Sequence, residues 1–215
     1  MEFKKINIVT INLNNKEGLE KTIISVINQT YYDKINYIII DGGSTDGSID
    51  VIEKYKEYIS YYVSEKDAGI FHAMNKGVDA CNGEYVLFLN SGDNFHNNYA
   101  IENSYNELTE DVVYGNLLVH TLLDKFMITE YDFFNKWYIP YPSTFTKVKL
   151  LKEKRLNEEY KILSDWIYYY EYIHINKLPY KHIDVTITDF YVGGVSSNFT
   201  ECYKEKEKYF NNVSF

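Results

Sequence analysis

Apolar β-branched runs alternate with stretches of helical periodicity over residues 6–95, and that alternation restricts the fold more than any other feature. Ile6–Leu13 reads as a mostly buried strand, followed by Glu17–Gln29 with Leu19, Ile23, Val26 and Ile27 at helical spacing. Asn36–Ile40 is a second strand that stops at Asp41-Gly42-Gly43-Ser44. Thr45 or Asp46 can cap the next helix, whose stripe is Ile49, Ile52, Tyr55 and Ile59. Tyr61–Val63 is a short third strand. A turn at Asp67-Ala68-Gly69 leads to a helix with Ile70, Met74 and Val78 on one face. Tyr85–Leu89 is the fourth strand, ended by Asn90-Ser91-Gly92-Asp93. Strands alternating with helices in this way predict a parallel sheet covered by helices.

The second half is less regular. Val112–His120 and Lys125–Thr129 can pair as a hairpin, Glu159–Ile175 reads as helix, His182–Tyr191 as strand and Asn198–Phe210 as helix. No repeat, low-complexity tract or linker divides the chain, so residues 1–215 are expected to form one domain.

Composition removes several function classes. The formal net charge is −9 and Arg155 is the sole arginine, which argues against a nucleic-acid partner. Three prolines exclude a proline-rich stalk. Cys81 and Cys202 fit neither a C-x-x-C motif nor a disulfide framework and read as reduced thiols. No apolar run approaches about 18 residues, and the start is too polar for a signal peptide, so a cytoplasmic protein is expected.

In an open parallel sheet, ligands bind beyond the carboxyl ends of the strands. Asn14, Asp41, Asp67 and Asp93 all fall at or just past such ends, which predicts one shared site. Asp46 reads instead as a cap. The glycine loop after Asp41 lacks the lysine of a P-loop and the spacing of a dinucleotide fingerprint, so it suits closure around a flat base, with Asp41 accepting from base or ribose. Asp93 follows a buried strand and suits a hard cation beside a diphosphate, because Mg²⁺ needs few protein ligands when phosphates supply the rest. The five histidines show no H-x-x-x-H spacing and read as surface or structural residues, with His96 close to Asp93. The Tyr168–Tyr170 and Tyr172 cluster reads as helix packing, and Lys204–Lys208 as a solvated face.

Ile8–Asn15, Asn28-Gln29-Thr30 and Ile38–Gly47 resemble the opening of the inverting family-2 glycosyltransferases of GT-A fold. Ser64–Ile70, Ala73–Gly77 and Gly83–Asp93 continue the resemblance, which is specific over about residues 6–95 and similar to the branch that builds bacterial capsule, exopolysaccharide and lipopolysaccharide. It implies a Rossmann-like, mostly parallel central sheet with a nucleotide-sugar-binding half, 1–95, and a less regular acceptor-side half, 96–215. It also implies transfer of a sugar, UDP- or dTDP-linked, to a glycan or lipid-linked saccharide, with peripheral association at the inner membrane face.

Carried over by position, the resemblance implies that Asp41 holds uracil or thymine and that Asp67 lines the same pocket. Leu13, Asn14, Gly43, Asn75 (in a small-residue–x–Asn–x–Gly turn), Ser91 and Gly194 complete the substrate-binding set. Asp93 would hold Mn²⁺ or Mg²⁺, although Asn90 and Gly92 stand where the aspartates of a D-x-D motif often are. Ser164-Asp165-Trp166 resembles the element carrying the general base, here Asp165, with Glu158 or Glu159 as the fallback; Trp166 would shield the site or stack on a sugar. Tyr141-Pro142 replaces a His-Gln pair. Gly193-Gly194-Val195-Ser196 resembles a turn near the diphosphate. Ser164-Asp165 as a mere N-cap and first-turn acid that complements the helix dipole is the alternative for this element. A sugar nucleotidyltransferase and a non-catalytic nucleotide-sugar binder are the rival functions.

Overall fold

The computed structural model describes residues 6–129, 139–194 and 198–212. Its first half alternates β1 (Ile6–Asn12), α1 (Lys16–Ile27), β2 (Ile35–Asp41), α2 (Ser48–Lys54), β3 (Tyr61–Ser64), α3 (Ile70–Ala80) and β4 (Tyr85–Phe88). The second half adds β5 (Asn94–Phe95), α4 (Ala100–Tyr105), the hairpin β6 (Val112–His120) and β7 (Lys125–Ile128), β8 (Thr144–Lys147) and α5 (Val148–Glu153). It ends with α6 (Ser164–Tyr169), β9 (Lys181–Tyr191) and α7 (Phe199–Asn212).

The described strands form one sheet in the order β3-β2-β1-β4-β8-β6-β9-β5, with β7 on β6. β3, β2, β1 and β4 are parallel, whereas β8 runs antiparallel to both β4 and β6. The fold class read from the sequence therefore holds, and the antiparallel pairs mark where its regular half ends. Alternate residues of the parallel strands feed opposite cores. Val9, Ile38 and Phe88 join Phe71, Met74 and Val78 of α3, while Ile8, Ile39 and Leu87 join Leu19, Ile23 and Val26 of α1. Burial on both faces explains why these strands read as unbroken apolar runs.

Two local features fix the parallel half. Asn7 is buried within β1, donates to the Tyr85 carbonyl at 2.7 Å and accepts from Asn36 at 2.9 Å, which pins its neighbours on either side. Gly77 lets α3 lie close on β1, since a Cβ there would stand 2.4 Å from Val9 Cγ1. The expected Ala73–Gly77 turn is thus the interior of a helix, because Phe71, Met74 and Val78 form a continuous apolar stripe.

Other boundaries move for physical reasons. The predicted helix at Glu159 starts only at Ser164, since 161–163 point their N–H groups at Glu205 instead of an earlier turn. It then widens into a π-helical segment, Tyr170–Ile175. Gly47, at φ 92°, occupies the cap position of α2, while Asp46 accepts from Ser48 N at 3.0 Å and Lys16 N at 2.8 Å.

Candidate active site

Parallel register aligns Asn12 of β1, Asp41 of β2 and Ser64 of β3 in one row at the carboxyl edge of the sheet. Their side chains bond along that row. Asp41 Oδ1 accepts from Asn12 Nδ2 at 2.7 Å and Ser44 Oγ at 2.6 Å. Its Oδ2 accepts from Ser64 Oγ at 2.6 Å, Ser44 N at 2.9 Å and Gly43 N at 3.1 Å. Burial alone would raise the Asp41 pKa, but bonds from Ser44, Ser64 and Asn12 outweigh it and hold the carboxyl below its usual value. Asp41 thus stands at the strand end where the sequence placed it, with donors from the protein on both oxygens. The side chain is buried with both oxygens engaged, so it shapes the loop at Gly43 and Ser44 and does not present a free acceptor.

That loop forms a ledge. Gly43 needs its φ of 81°, which favours glycine. Asn14, also at positive φ, accepts from Thr45 N at 2.8 Å and donates its own N–H to Ser44 Oγ at 2.8 Å, stitching the β1 and β2 loops together. Leu13 stands 62% exposed above it. A Cβ on Gly42 would meet Leu13 Cδ1 at 3.3 Å and Asp67 Oδ2 at 3.4 Å, so Leu13, Gly42 and Asp67 converge. Asp67 is held by Lys76 Nζ at 2.7 Å and pairs with His72 Nδ1 at 3.1 Å.

Beside the ledge opens a cavity of about 780 Å³ whose lining includes Ser91, Asp93, Asp165, Trp166 and Gly194. Asp93 is buried against its floor and accepts from Tyr191 N at 3.2 Å. Burial outweighs that bond and pushes its pKa up to about 7. Asn90 donates to the Tyr141 hydroxyl at 2.8 Å, while its own Oδ1 is buried with no hydrogen-bond partner among the described residues. Two hard oxygen donors, one carboxylate and one amide, therefore belong to the same cavity wall, a set that fits a phosphate-bridged Mg²⁺ or Mn²⁺ better than a cation held by protein alone. Among the described residues no group of three or more His, Cys, Asp or Glu could hold a metal.

Asp165 sits in the first turn of α6, partly open to the cavity. Its carboxyl is pushed up to about 7, mainly by burial; N–H groups of Trp166 and its own backbone pull the other way, and the nearby Glu205 charge adds to the rise. A first-turn carboxylate ought to be ionised well below neutrality through the helix dipole, and here burial reverses that expectation. Ser164 is the first helical residue with Leu163 as the cap, so Ser164 does not cap α6, while Asp165 does take the first-turn acid position. Trp166 stacks on Tyr170 at 5.0 Å, with Lys206 Nζ 4.8 Å from its ring centroid, and is part of the cavity lining.

Asn75 lies outside the cavity lining. Its amide donates to the Leu156 carbonyl at 2.9 Å and to Glu158 at 2.8 Å and accepts from Leu156 N at 3.2 Å, so it ties α3 to the segment after α5. Glu158 and Glu159 do not line this cavity either. His96 pairs with Asp189 at 2.8 Å, and His120 lies 3.6 Å from the same oxygen. Val195 and Ser196 lie outside the described residues.

The sequence reading missed several contributors. Asn15 caps α1 through Gly18 N at 3.2 Å and donates to the Ser91 carbonyl at 2.9 Å, bridging two strand-end loops. The Asn-Asn pair ahead of a helix was the available signal. Tyr141 was noticed for what it replaces and not for its hydroxyl. Tyr191 acts through backbone, which no residue type announces.

The profile of glycosyl transferase family 2 matches residues 7–172. Poly(ribitol-phosphate) beta-N-acetylglucosaminyltransferase TarP of Staphylococcus aureus is 36% identical over 119 residues, covering 52% of this chain and 36% of that protein. The chain spans about a third of the length of this and other curated relatives it matches. Among solved structures, S. aureus TarS 1-349 in complex with UDP-GlcNAc matches with a TM-score of 0.74 at 18% identity, covering 90% of this chain and 61% of that one. The mannosyltransferase PcManGT from Pyrobaculum calidifontis, in complex with GDP-Man and Mn²⁺, matches with a TM-score of 0.74 at 14% identity, covering 98% of this chain and 65% of that one. The chain belongs to glycosyl transferase family 2 and has the GT-A type of fold.

Proposed function

We propose that this chain transfers a sugar from a nucleoside-diphosphate-sugar, UDP- or dTDP-linked, to a hydroxyl of a glycan or lipid-linked saccharide, with inversion, in the assembly of a bacterial surface polysaccharide. The observation that carries the reading is a pair of carboxyls, Asp93 and Asp165, lining one cavity with both pKa values near 7. Carboxyls displaced this far by burial in a cavity wall mark sites of chemistry more often than of structure.

Each half of the site has a role. The ledge of Leu13, Gly42, Gly43 and Asp67 receives the base, with Asp41 and Asn14 holding its shape. Ser91 and Gly194 flank the diphosphate. Asp93 and Asn90 Oδ1 would hold a divalent cation, which when bound neutralises the diphosphate leaving group. Asp165, whose carboxyl burial pushes up to about 7, removes the proton of the acceptor hydroxyl as that oxygen bonds to the anomeric carbon and the bond to the diphosphate breaks. A base with this proton affinity is matched to neutral pH. Trp166 walls the carboxyl from bulk water. Among the described residues no helix is long and apolar enough to cross a membrane, and a lipid-linked acceptor would bring the chain to the inner membrane face.

The test is incubation with UDP-, dTDP- and GDP-sugars, a lipid-linked saccharide and Mn²⁺, with the product anomer read by NMR. An inverted glycoside supports the proposal. Retention of configuration, or ligand-induced thermal stabilisation without turnover, would count against it, the latter in favour of a binding protein.

A further inference from the structure

Asp165 stands on a helix that cannot hold itself. α6 is six residues long before it widens into the π-helical segment, and Leu163 at its cap position offers no side-chain acceptor. Isolated helices of this length are unstable in water, and their leading N–H groups need partners. The segment that leads into α6, ending at its cap residue Leu163, is held from elsewhere in the chain. Glu205, in the middle of α7, accepts from Lys161 N at 2.6 Å through Oε1 and from Ile162 N at 3.0 Å and Leu163 N at 2.9 Å through Oε2. Three successive N–H groups thus converge on one carboxylate, the arrangement of an anion nest. The next two residues are Ser164 and Asp165, and the Leu163 carbonyl accepts the Ile167 N–H that opens α6.

Other side chains of α7 seat it on the same helix. Tyr209 and Phe210 pack edge-on against Trp166 at 6.2 Å, and Tyr209 donates its hydroxyl to Glu171 at 3.2 Å. Cys202, on the preceding turn, joins the cavity wall beside Asp165. α7 lies beyond residues 7–172, the span of the family match.

We propose that α7 is a clamp for the catalytic carboxyl, and that Glu205 is a positioning residue that fixes the 161–163 segment so that Asp165 faces the acceptor hydroxyl. This rests on Asp165 being the base. Without the carboxylate, the three N–H groups lose a common partner, the segment loosens, and Asp165 moves while the ledge that receives the donor is untouched.

The experiment uses the full chain carrying Glu205→Gln, with the exposed Glu207→Gln as control. Expected are faster amide hydrogen exchange at residues 161–163, a kcat lower by roughly 10- to 100-fold, as for a catalytic group displaced by about an ångström, and an unchanged donor KM. In an Asp165→Asn background, Glu205→Gln should lower kcat no further, since its effect runs through Asp165. Should Glu205→Gln melt below the assay temperature, Phe210→Ala loosens α7 without touching the carboxylate and must show the same selective loss of kcat. If Asp165→Asn abolishes transfer while Glu205→Gln keeps the parent kcat, the clamp is refuted and the base reading stands. If Asp165→Asn keeps full transfer, both fall. Equal losses from Glu205→Gln in the parent and in the Asp165→Asn background would show a general structural role and also overturn the clamp.

Discussion

Replacing Asp165 by Asn should stabilise the fold at alkaline pH while removing transfer. Burial moves this carboxyl from 3.8 to about 7. Between those values the folded chain keeps a proton that the unfolded chain has released, so stability falls as pH rises through the window and the full penalty stands above pH 7. At about 1.4 kcal/mol for each tenfold change in proton affinity, the upper bound is on the order of 4 kcal/mol. Asp165 opens onto the cavity, and water there screens its charge, so about half of that is the better expectation. Asn keeps the volume and an oxygen for the N–H groups at the start of α6, and it carries no ionisation penalty. For a chain of this size, about 2 kcal/mol corresponds to a melting temperature about 4–8 °C higher. Calorimetry at pH 8 and pH 4 reads the difference, which should shrink toward zero at the lower pH. Transfer by the same variant should fall roughly 10²–10⁴-fold, the share of a general base. A variant melting at or below the parent at pH 8, or an advantage independent of pH, would refute the burial argument. Undiminished transfer would remove Asp165 from the chemistry.

Asp41→Ala should lower stability by about 3 kcal/mol or more, because buried donors at Asn12, Ser44 and Ser64 lose their acceptor, and should weaken UDP binding through the ledge. The depressed Asp41 pKa adds that this stabilisation is present near neutrality and lost on acidification through the folded value; a parent-like melt and UDP titration would contradict both. Asp93→Asn should raise the Mn²⁺ concentration needed for half-maximal transfer, and full activity of the parent in excess chelator would show the cation to be dispensable. Gly77→Ala sets a helix-propensity gain of about 1 kcal/mol against overpacking of about 1–3 kcal/mol on Val9, so a lower melting temperature is expected and a higher one would mean that β1 yields.

The parallel half of the fold was legible because both faces of its strands are buried. β1, β2 and β4 announce themselves as apolar runs, and α3 as a stripe of Phe71, Met74 and Val78. The hairpin of β6 and β7 was legible for a different reason, local pairing across the turn at Thr121 and Asp124. What stayed hidden depends on contacts remote in sequence. The true start of α6 is set by Glu205, more than forty residues later, so no window around Glu159 could reveal it. Asn75 looked like a ligand residue because its motif was read as a turn, whereas in α3 its amide points toward Leu156.

The same limit explains why the candidate site was legible by place and not by role. Position past a strand end was enough to nominate both Asp41 and Asp93, and each does lie at that edge of the sheet. Their electrostatic fates then diverge. Asp41 gathers amide, hydroxyl and backbone donors from three adjacent strand ends and becomes a low-pKa brace. Asp93 receives the Tyr191 N–H, stays buried, and is left with its charge poorly compensated. A carboxylate whose hydrogen bonds are satisfied has no affinity to spare for a ligand, and one that is buried without them awaits a counter-charge. Residue type and spacing cannot separate these two states, since both are aspartates after an apolar run. Hydrogen-bond satisfaction can: Asp41 carries a lowered pKa and Asp93 one raised to about 7, and the proposed roles follow that division.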